Sequence, residues 1–388
     1  MQAANVPLTS VEAGQVFLAP ITVGSQSFYV VIDTGSADPW LVNTEFACID
    51  PVTGEELDEG YCYFGAPYDR TKSSTFAAIP NENFNITYAD GEQLNGDMAY
   101  ESMTMGGIMV PRQKFAIVDY AAWYGDGYSS GLVGFAYGTL TNAYPGNDPS
   151  ADRRGTTLLY NPLFVNMYNQ SLVAPIFSMA IDRDPNVGGV LALGGIPAIP
   201  TTPGFSSVAI QSVGVFAGTT TPAYEFYTVA SDGWAIAASI ATQFNPYPGI
   251  SNPAKTNLIA PGSVIIDSGT SLIYAPNAVA DTVASLFRPP AAFDAGAGAY
   301  YVACNAIPPV LGVSIARKIF YVNGKDLIVP ASGGRCIMGV QPNYGGLTIL
   351  GDVWMKSVLC VFDVGASQMR FASRQFYGLV DGKKTVTT

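Results

Sequence analysis

The feature that most constrains this chain is that it repeats itself. Phe28-Tyr29-Val30-Val31-Ile32-Asp33-Thr34-Gly35-Ser36 in the first half returns as Gly262-Ser263-Val264-Ile265-Ile266-Asp267-Ser268-Gly269-Thr270 in the second. Each copy is an apolar run that ends in Asp, hydroxyl, Gly, hydroxyl. Downstream of each stands an apolar pair with a glycine, Leu132-Val133-Gly134 and Ile349-Leu350-Gly351. Such self-similarity implies two halves built on one plan. At 388 residues the chain also exceeds what one hydrophobic core usually organises. The expectation is two lobes related by a pseudo-dyad, 1–200 and 201–388, parted in the Pro-Thr-rich stretch that follows the Gly-rich run from Gly188 to Gly195. Such lobes would bring Asp33 and Asp267 face to face across a cleft.

Short alternating apolar runs such as Gln15–Leu18, Phe28–Ile32 and Phe84–Tyr88 are separated by clusters of Gly, Pro, Asn and Asp, which is an all-β pattern. The 41 Gly and 27 Pro, with only 12% charged residues, fit a strand-rich and loop-rich globular protein. Helical patterning is confined to Leu158–Leu172 and to Asn277–Phe287, which opens after Pro276. The predicted fold is therefore all-β with a few short surface helices.

The chain has no histidine. That excludes a Ser-His-Asp hydrolase, a Cys-His protease and any zinc site that needs imidazole. Near neutral or acid pH the chemistry falls to carboxylates, because Lys, Tyr and Cys titrate well above that range. A net charge of −12 argues against nucleic acid or an anionic membrane surface as partner. Sparse charge also leaves few native ion pairs to lose on acidification, which points to an acidic working environment.

Five cysteines, Cys48, Cys62, Cys304, Cys336 and Cys360, include no C-x-x-C pair of the zinc or redox kind. The spacing reads as two local disulfides, Cys48–Cys62 and Cys304–Cys336. Cys360, inside the apolar run Val358–Phe362, is expected to be a buried inert thiol rather than a nucleophile. Disulfides place the chain in a secretory compartment, extracellular first and vacuolar second. The sequons Asn85-Ile86-Thr87 and Asn169-Gln170-Ser171 add weak support. With no signal-peptide pattern at the start and no apolar stretch of about 18 residues, the chain reads as a mature sequence without pro-segment or membrane span.

The repeated triplets resemble those of the pepsin-like aspartic proteases, and the resemblance covers essentially the whole chain. Asp33-Thr34-Gly35-Ser36 and Asp267-Ser268-Gly269-Thr270 look like the two catalytic triplets. Tyr88-Ala89-Asp90-Gly91 resembles the family's flap, and Trp40 its indole behind the active site. Ile349-Leu350-Gly351-Asp352 followed by Val361-Phe362-Asp363 is similar to its C-terminal signature, and secreted fungal members are nearest in character. One Asp-Thr-Gly alone is more often a turn than a catalytic site. Two in register, with companions in each half, are specific.

The resemblance implies a bilobal fold and an acid endopeptidase in which Asp33 and Asp267 share one proton and activate a water, with no metal or cofactor. Ser36 and Thr270 would hydrogen-bond the outer carboxylate oxygens, Thr34 and Ser268 the opposite loop, and Gly35 and Gly269 would admit backbone amides. Val31, Trp123, Tyr124 and Leu132 should line the pocket for the residue before the scissile bond, with Tyr224 on its far side. That implies large apolar residues flanking the cleaved bond. Asp90, at the flap tip, could admit lysine before the bond, or could serve only the turn, for which Asp-Gly is favoured. The partners implied are protein or peptide substrates and statine-type transition-state inhibitors, acting on a monomer. Two other readings remain at this stage: a catalytically silent binding protein on the same fold, and a glycosidase, whose carboxyls stand at least about 5 Å apart.

Overall fold

A computed structural model describes residues 1–153, 155–239 and 258–374. Strands dominate it, as the alternating runs predict. Three α-helices occur among the described residues, Leu163–Asn169, Asn277–Leu286 and Asp352–Met355. The chain divides into two compact units that interleave in sequence: Met1–Pro175, Asp184–Gly195 and Ser212–Phe226 form one, and Ile176–Arg183, Ile196–Gln211 and Tyr227–Thr388 the other.

In the first unit, Ala77–Thr87, Gln93–Met105 and Ile108–Ala122 form an antiparallel meander. Pro39–Ile49 runs parallel to the last of these. The short strand Gly131–Gly134 pairs parallel with Gln26–Asp33 on one side and antiparallel with Pro39–Ile49 on the other. It therefore fills the gap left where the chain turns after Asp33. Gln26–Asp33 buries Phe28, Val30 and Ile32 on one face, the two-residue period expected of a strand. The core gathers Trp40, Val42, Phe46, Phe84, Leu94, Met98 and Leu132, closed at one edge by the Cys48–Cys62 disulfide.

The second unit repeats the central device. Gly262–Ile266 pairs parallel with Ile349–Leu350, which lies antiparallel to Ile273–Ala275. Elsewhere in this unit Phe177–Ile181, Val358–Asp363, Gln368–Ser373 and Ser206–Ala209 pair antiparallel in that order. There Cys360 is a buried free thiol pushed above its ordinary pKa by burial. The Cys304–Cys336 disulfide ties Cys336–Met338 to the chain beyond Ala299–Val302.

The first predicted helix is shorter than its periodicity. Pro162 sets the entry and the helix starts at Leu163, while Leu158 gives its N–H to the Ala143 carbonyl at 2.7 Å. At the far end Ser171 takes a left-handed φ of 58°, which a continuing helix does not tolerate. The sequon residue Asn85 is also committed, its side-chain amide donating to the Pro149 carbonyl and to Asp152 at 3.1 and 3.0 Å.

Candidate active site

Two buried carboxyls, one in each unit, are held in the same way. Asp33 ends the strand Gln26–Asp33; Gly35 N–H donates to its Oδ1 at 2.6 Å and Ser36 Oγ–H to its Oδ2 at 2.5 Å. Asp267 follows the strand Gly262–Ile266; Gly269 N–H donates to its Oδ1 at 2.9 Å and Thr270 Oγ1–H to its Oδ2 at 2.7 Å. Burying a carboxylate without donors is costly, and here each oxygen has one. Thr34 and Ser268, the next residues, are buried.

Close backbone approach explains the downstream glycines. A Cβ on Gly134 would sit 2.5 Å from the Ala37 backbone, and one on Gly351 would sit 2.1 Å from the Thr270 carbonyl oxygen. Just past them, Phe135 N–H bonds the Asp33 carbonyl at 2.7 Å and Asp352 N–H bonds the Thr270 carbonyl at 2.8 Å. The repeated apolar pair and glycine thus brace each aspartate loop from below.

The flap is the turn between Ala77–Thr87 and Gln93–Met105. Tyr88 N–H donates to the Glu92 carbonyl at 2.8 Å, and Gly91, at φ 98°, donates to the Tyr88 carbonyl at 3.1 Å. Asp90 Oδ1 accepts the Glu92 N–H at 3.1 Å, and the side chains of Ala89 and Asp90 are exposed. The Tyr88 hydroxyl accepts from Trp40 Nε1–H at 2.9 Å. Burial, then the nearby Asp33 carboxylate, raises the Tyr88 phenol well above its ordinary pKa.

Within the first unit the structure brings together Trp40, Tyr88, Trp123, Val31 and Leu132. Trp123 packs edge-on against Trp40 at 5.2 Å and against Tyr88 at 5.6 Å. Val31 faces Leu132 across the parallel pair and packs on the same core. Tyr124 has its ring exposed and contributes its backbone N–H elsewhere, and Tyr224 lies outside this cluster, stacked on Tyr137 at 5.2 Å.

Sequence reasoning missed three residues beside the site. Phe64 stacks on Trp123 at 6.1 Å, two residues past Cys62, and the polar loop around that cysteine gave no apolar periodicity to flag it. Asp38 is buried and accepts from Tyr160 Oη at 2.5 Å, Asn142 N–H at 3.0 Å and Asn142 Nδ2 at 2.8 Å. Burial raises the Asp38 pKa, against the pull of those donors. Glu92 is buried at the flap base, where its Oε1 accepts the Tyr124 N–H at 2.7 Å. Its carboxyl is pushed up to about 8, by burial first and by repulsion from Asp90 second. Among the described residues no group of three His, Cys, Asp or Glu side chains is arranged to hold a metal ion.

A family model described as eukaryotic aspartyl protease matches residues 16–374. A probable aspartic-type endopeptidase of Aspergillus fumigatus is 39% identical over 384 residues, covering 96% of this chain and 82% of the relative. Rhizopuspepsin-1 of Rhizopus niveus is 25% identical and covers 95% of this chain and 81% of the relative. Among solved structures, the aspartic proteinase of Irpex lacteus superposes with a TM-score of 0.68 over 97% of this chain and 98% of that one. At 16% identity this last likeness bears on the fold alone.

Proposed function

The chain belongs to the eukaryotic aspartyl protease family, and from that premise we propose that Asp33 and Asp267 are its catalytic dyad. It is an aspartic-type endopeptidase, hydrolysing peptide bonds. The observation that carries the dyad is the mirrored shell: on each aspartate a glycine N–H meets Oδ1 and a hydroxyl three residues on meets Oδ2.

In a catalytic dyad of this kind two carboxyls held about 3 Å apart do not both ionise and keep one proton across the acid range, as in the pepsin dyad, which titrates at about 1.5 and 4.7. The ionised member takes a proton from a bound water as that water attacks the amide carbon. The protonated member gives its proton to the carbonyl oxygen. This route forms no covalent intermediate on the protein and needs neither metal nor cofactor.

The apolar cluster of Val31, Trp123, Leu132 and Tyr88 supports a preference for a large apolar residue before the scissile bond. Asp90 is exposed at the flap turn and in our reading also receives a lysine ammonium there, although it already accepts the Glu92 N–H. Two disulfides fit a secreted protein, and no helix of the described residues is long and apolar enough to cross a membrane. The enzyme acts as a monomer in this reading. Digestion of denatured haemoglobin at acid pH, with and without a statine-type inhibitor, tests the proposal. Fragments that the inhibitor suppresses are expected; no cleavage, or cleavage indifferent to the inhibitor, would overturn it.

A further inference from the structure

Two turns of the first unit are laced together and carry tyrosines outward. Gly125 N–H donates to the Cys62 carbonyl at 3.1 Å, Gly127 N–H to the Tyr63 carbonyl at 2.7 Å and Gly65 N–H to the Ser129 carbonyl at 2.8 Å. The fit is tight, since a Cβ on Gly125 would sit 2.3 Å from the Tyr63 carbonyl oxygen. The Cys48–Cys62 disulfide ties one turn to the strand Pro39–Ile49, and Asp126 Oδ1 fixes the other by accepting the N–H groups of Tyr128 and Ser129 at 2.7 and 2.6 Å. On this frame Tyr61, Tyr63, Tyr124 and Tyr128 are 62%, 61%, 65% and 64% exposed. Among the described residues their hydroxyls have no partner. Exposed aromatic rings gathered on a rigid frame mark a contact surface, and each tyrosine offers an apolar face with a polar edge.

The same face carries charge of one sign. The loop closed by the disulfide holds Asp50, Glu55, Glu56, Asp58 and Glu59, and no Lys or Arg occurs between Met1 and Asp69 or between Phe115 and Asp152. Glu55, Glu56, Asp58 and Glu59 are exposed, and the short strand Glu56–Leu57 pairs with Cys48 and Ile49, which keeps these acids on the frame. Asp50 accepts the N–H groups of Thr53 and Val52, which hold its carboxyl below the ordinary carboxylate range, so it stays charged further into acid. A field of one negative sign attracts a polycation and repels anionic polymers. Phenol faces receive either a cation or the apolar face of a ring. A cationic sugar satisfies both features at once, its carbon face on a phenol ring and its ammonium on a carboxylate. A basic polypeptide matches the charge, but its long Lys and Arg side chains lose rotamer freedom against such a face, whereas a sugar ring is already rigid.

We propose that this face docks an amino-sugar polymer, a chain of glucosamine units, and so retains the enzyme on a matrix of that polymer. Calorimetric titration of the intact protein with soluble chitosan oligomers, at acid pH and low salt, tests this. A chain of net charge −12 attracts any polycation, so the decisive variant leaves the charge unchanged. Tyr61→Ser combined with Tyr128→Ser should weaken binding about fivefold. Glu55→Gln combined with Glu56→Gln should also weaken it about fivefold, whereas Asp281→Asn with Asp294→Asn, which removes equal charge from the second unit, should weaken it by no more than about twofold. N-acetylated oligomers of the same length keep the sugar faces but lose the ammonium groups, and should bind more weakly than chitosan. The four substituted positions of this face are exposed, and a denaturant midpoint close to that of the parent verifies that each variant is folded. Binding left intact by the tyrosine pair, or weakened as much by the second-unit pair as by the glutamate pair, would overturn the proposal. Polylysine showing the tyrosine dependence that chitosan lacks would assign the face to a basic protein and overturn it equally.

Discussion

The Trp40 indole Nε1–H donates to the hydroxyl of Tyr88 at 2.9 Å, so a residue at the base of the flap is anchored to the core behind the first aspartate. Trp40 is itself buried and packs edge-on against both Phe64 and Trp123. Replacing it with phenylalanine keeps an aromatic ring but removes the donor. A neutral hydrogen bond contributes about 1 kcal/mol, so kcat/KM for a good peptide should drop about fivefold in Trp40→Phe. Steady-state kinetics on one peptide checks this, and a rate within experimental error of the parent would show that the bond does not position the flap.

Asp33→Asn and Asp267→Asn should each abolish peptide hydrolysis while the fold persists. Both substitutions keep an oxygen to accept the glycine N–H or the hydroxyl, but neither amide can hold or pass the shared proton. General acid–base catalysis alone contributes about a hundredfold or more, so activity above about one hundredth of the parent in either variant contradicts the dyad. Circular dichroism and thermal unfolding report whether the fold has survived.

The Cβ distances give a stability prediction. In Gly134→Ala the new methyl would meet backbone atoms of Ala37, which cannot swing aside as a flexible side chain would. The loop after Asp33 must then shift, at a cost of about 1–3 kcal/mol, the usual range for overpacking. Gly91→Ala, at an open site, meets nothing within 4 Å but takes a φ of 98°, so its cost comes from backbone strain alone, about 1–2 kcal/mol. Urea unfolding of the two variants should show both destabilised, and Gly134→Ala should also slow catalysis through the displaced Asp33 loop.

How much of this was legible in sequence depended on whether the signal was local. The runs ending in Asp33 and Asp267 carry their own period, and the duplication doubles it, so the all-β class and the two triplets could be read directly. The glycines at 134 and 351 could be read because an apolar pair precedes each. Asp38 could not, because its meaning lies in Tyr160 and Asn142, more than a hundred residues away in the chain. Glu92 looked like one more hairpin residue until Tyr124, thirty-two positions on, supplied a donor. The helix over Leu158–Leu172 was overdrawn for the same reason. Tertiary contacts of Leu158 and Tyr160 hold the first turn extended and override the local periodicity.

Glu92 gives the last prediction, on pH. Its carboxyl is buried at the flap base and accepts the Tyr124 N–H. The charged groups that face it are Asp90 on its own turn and Glu12 in the turn after Val11, and both oppose a second negative charge. A hydrogen bond between the Glu92 and Asp90 carboxyls favours the protonated form further. The folded value of about 8 stands above the ordinary 4.5, so the native state holds this proton more tightly than the unfolded chain does. The resulting stability is fully present below pH 4.5, falls as pH rises through the interval to about 8, and does not return above it. Within that window the loss is at most about 1.4 kcal/mol per pH unit. Glu92→Gln retains an oxygen for the Tyr124 N–H and cannot ionise. Its denaturant midpoint should therefore lie close to that of the parent at pH 4 and well above it at pH 8, with a flatter dependence between. Parallel pH profiles for parent and variant would remove Glu92 as the source of that loss.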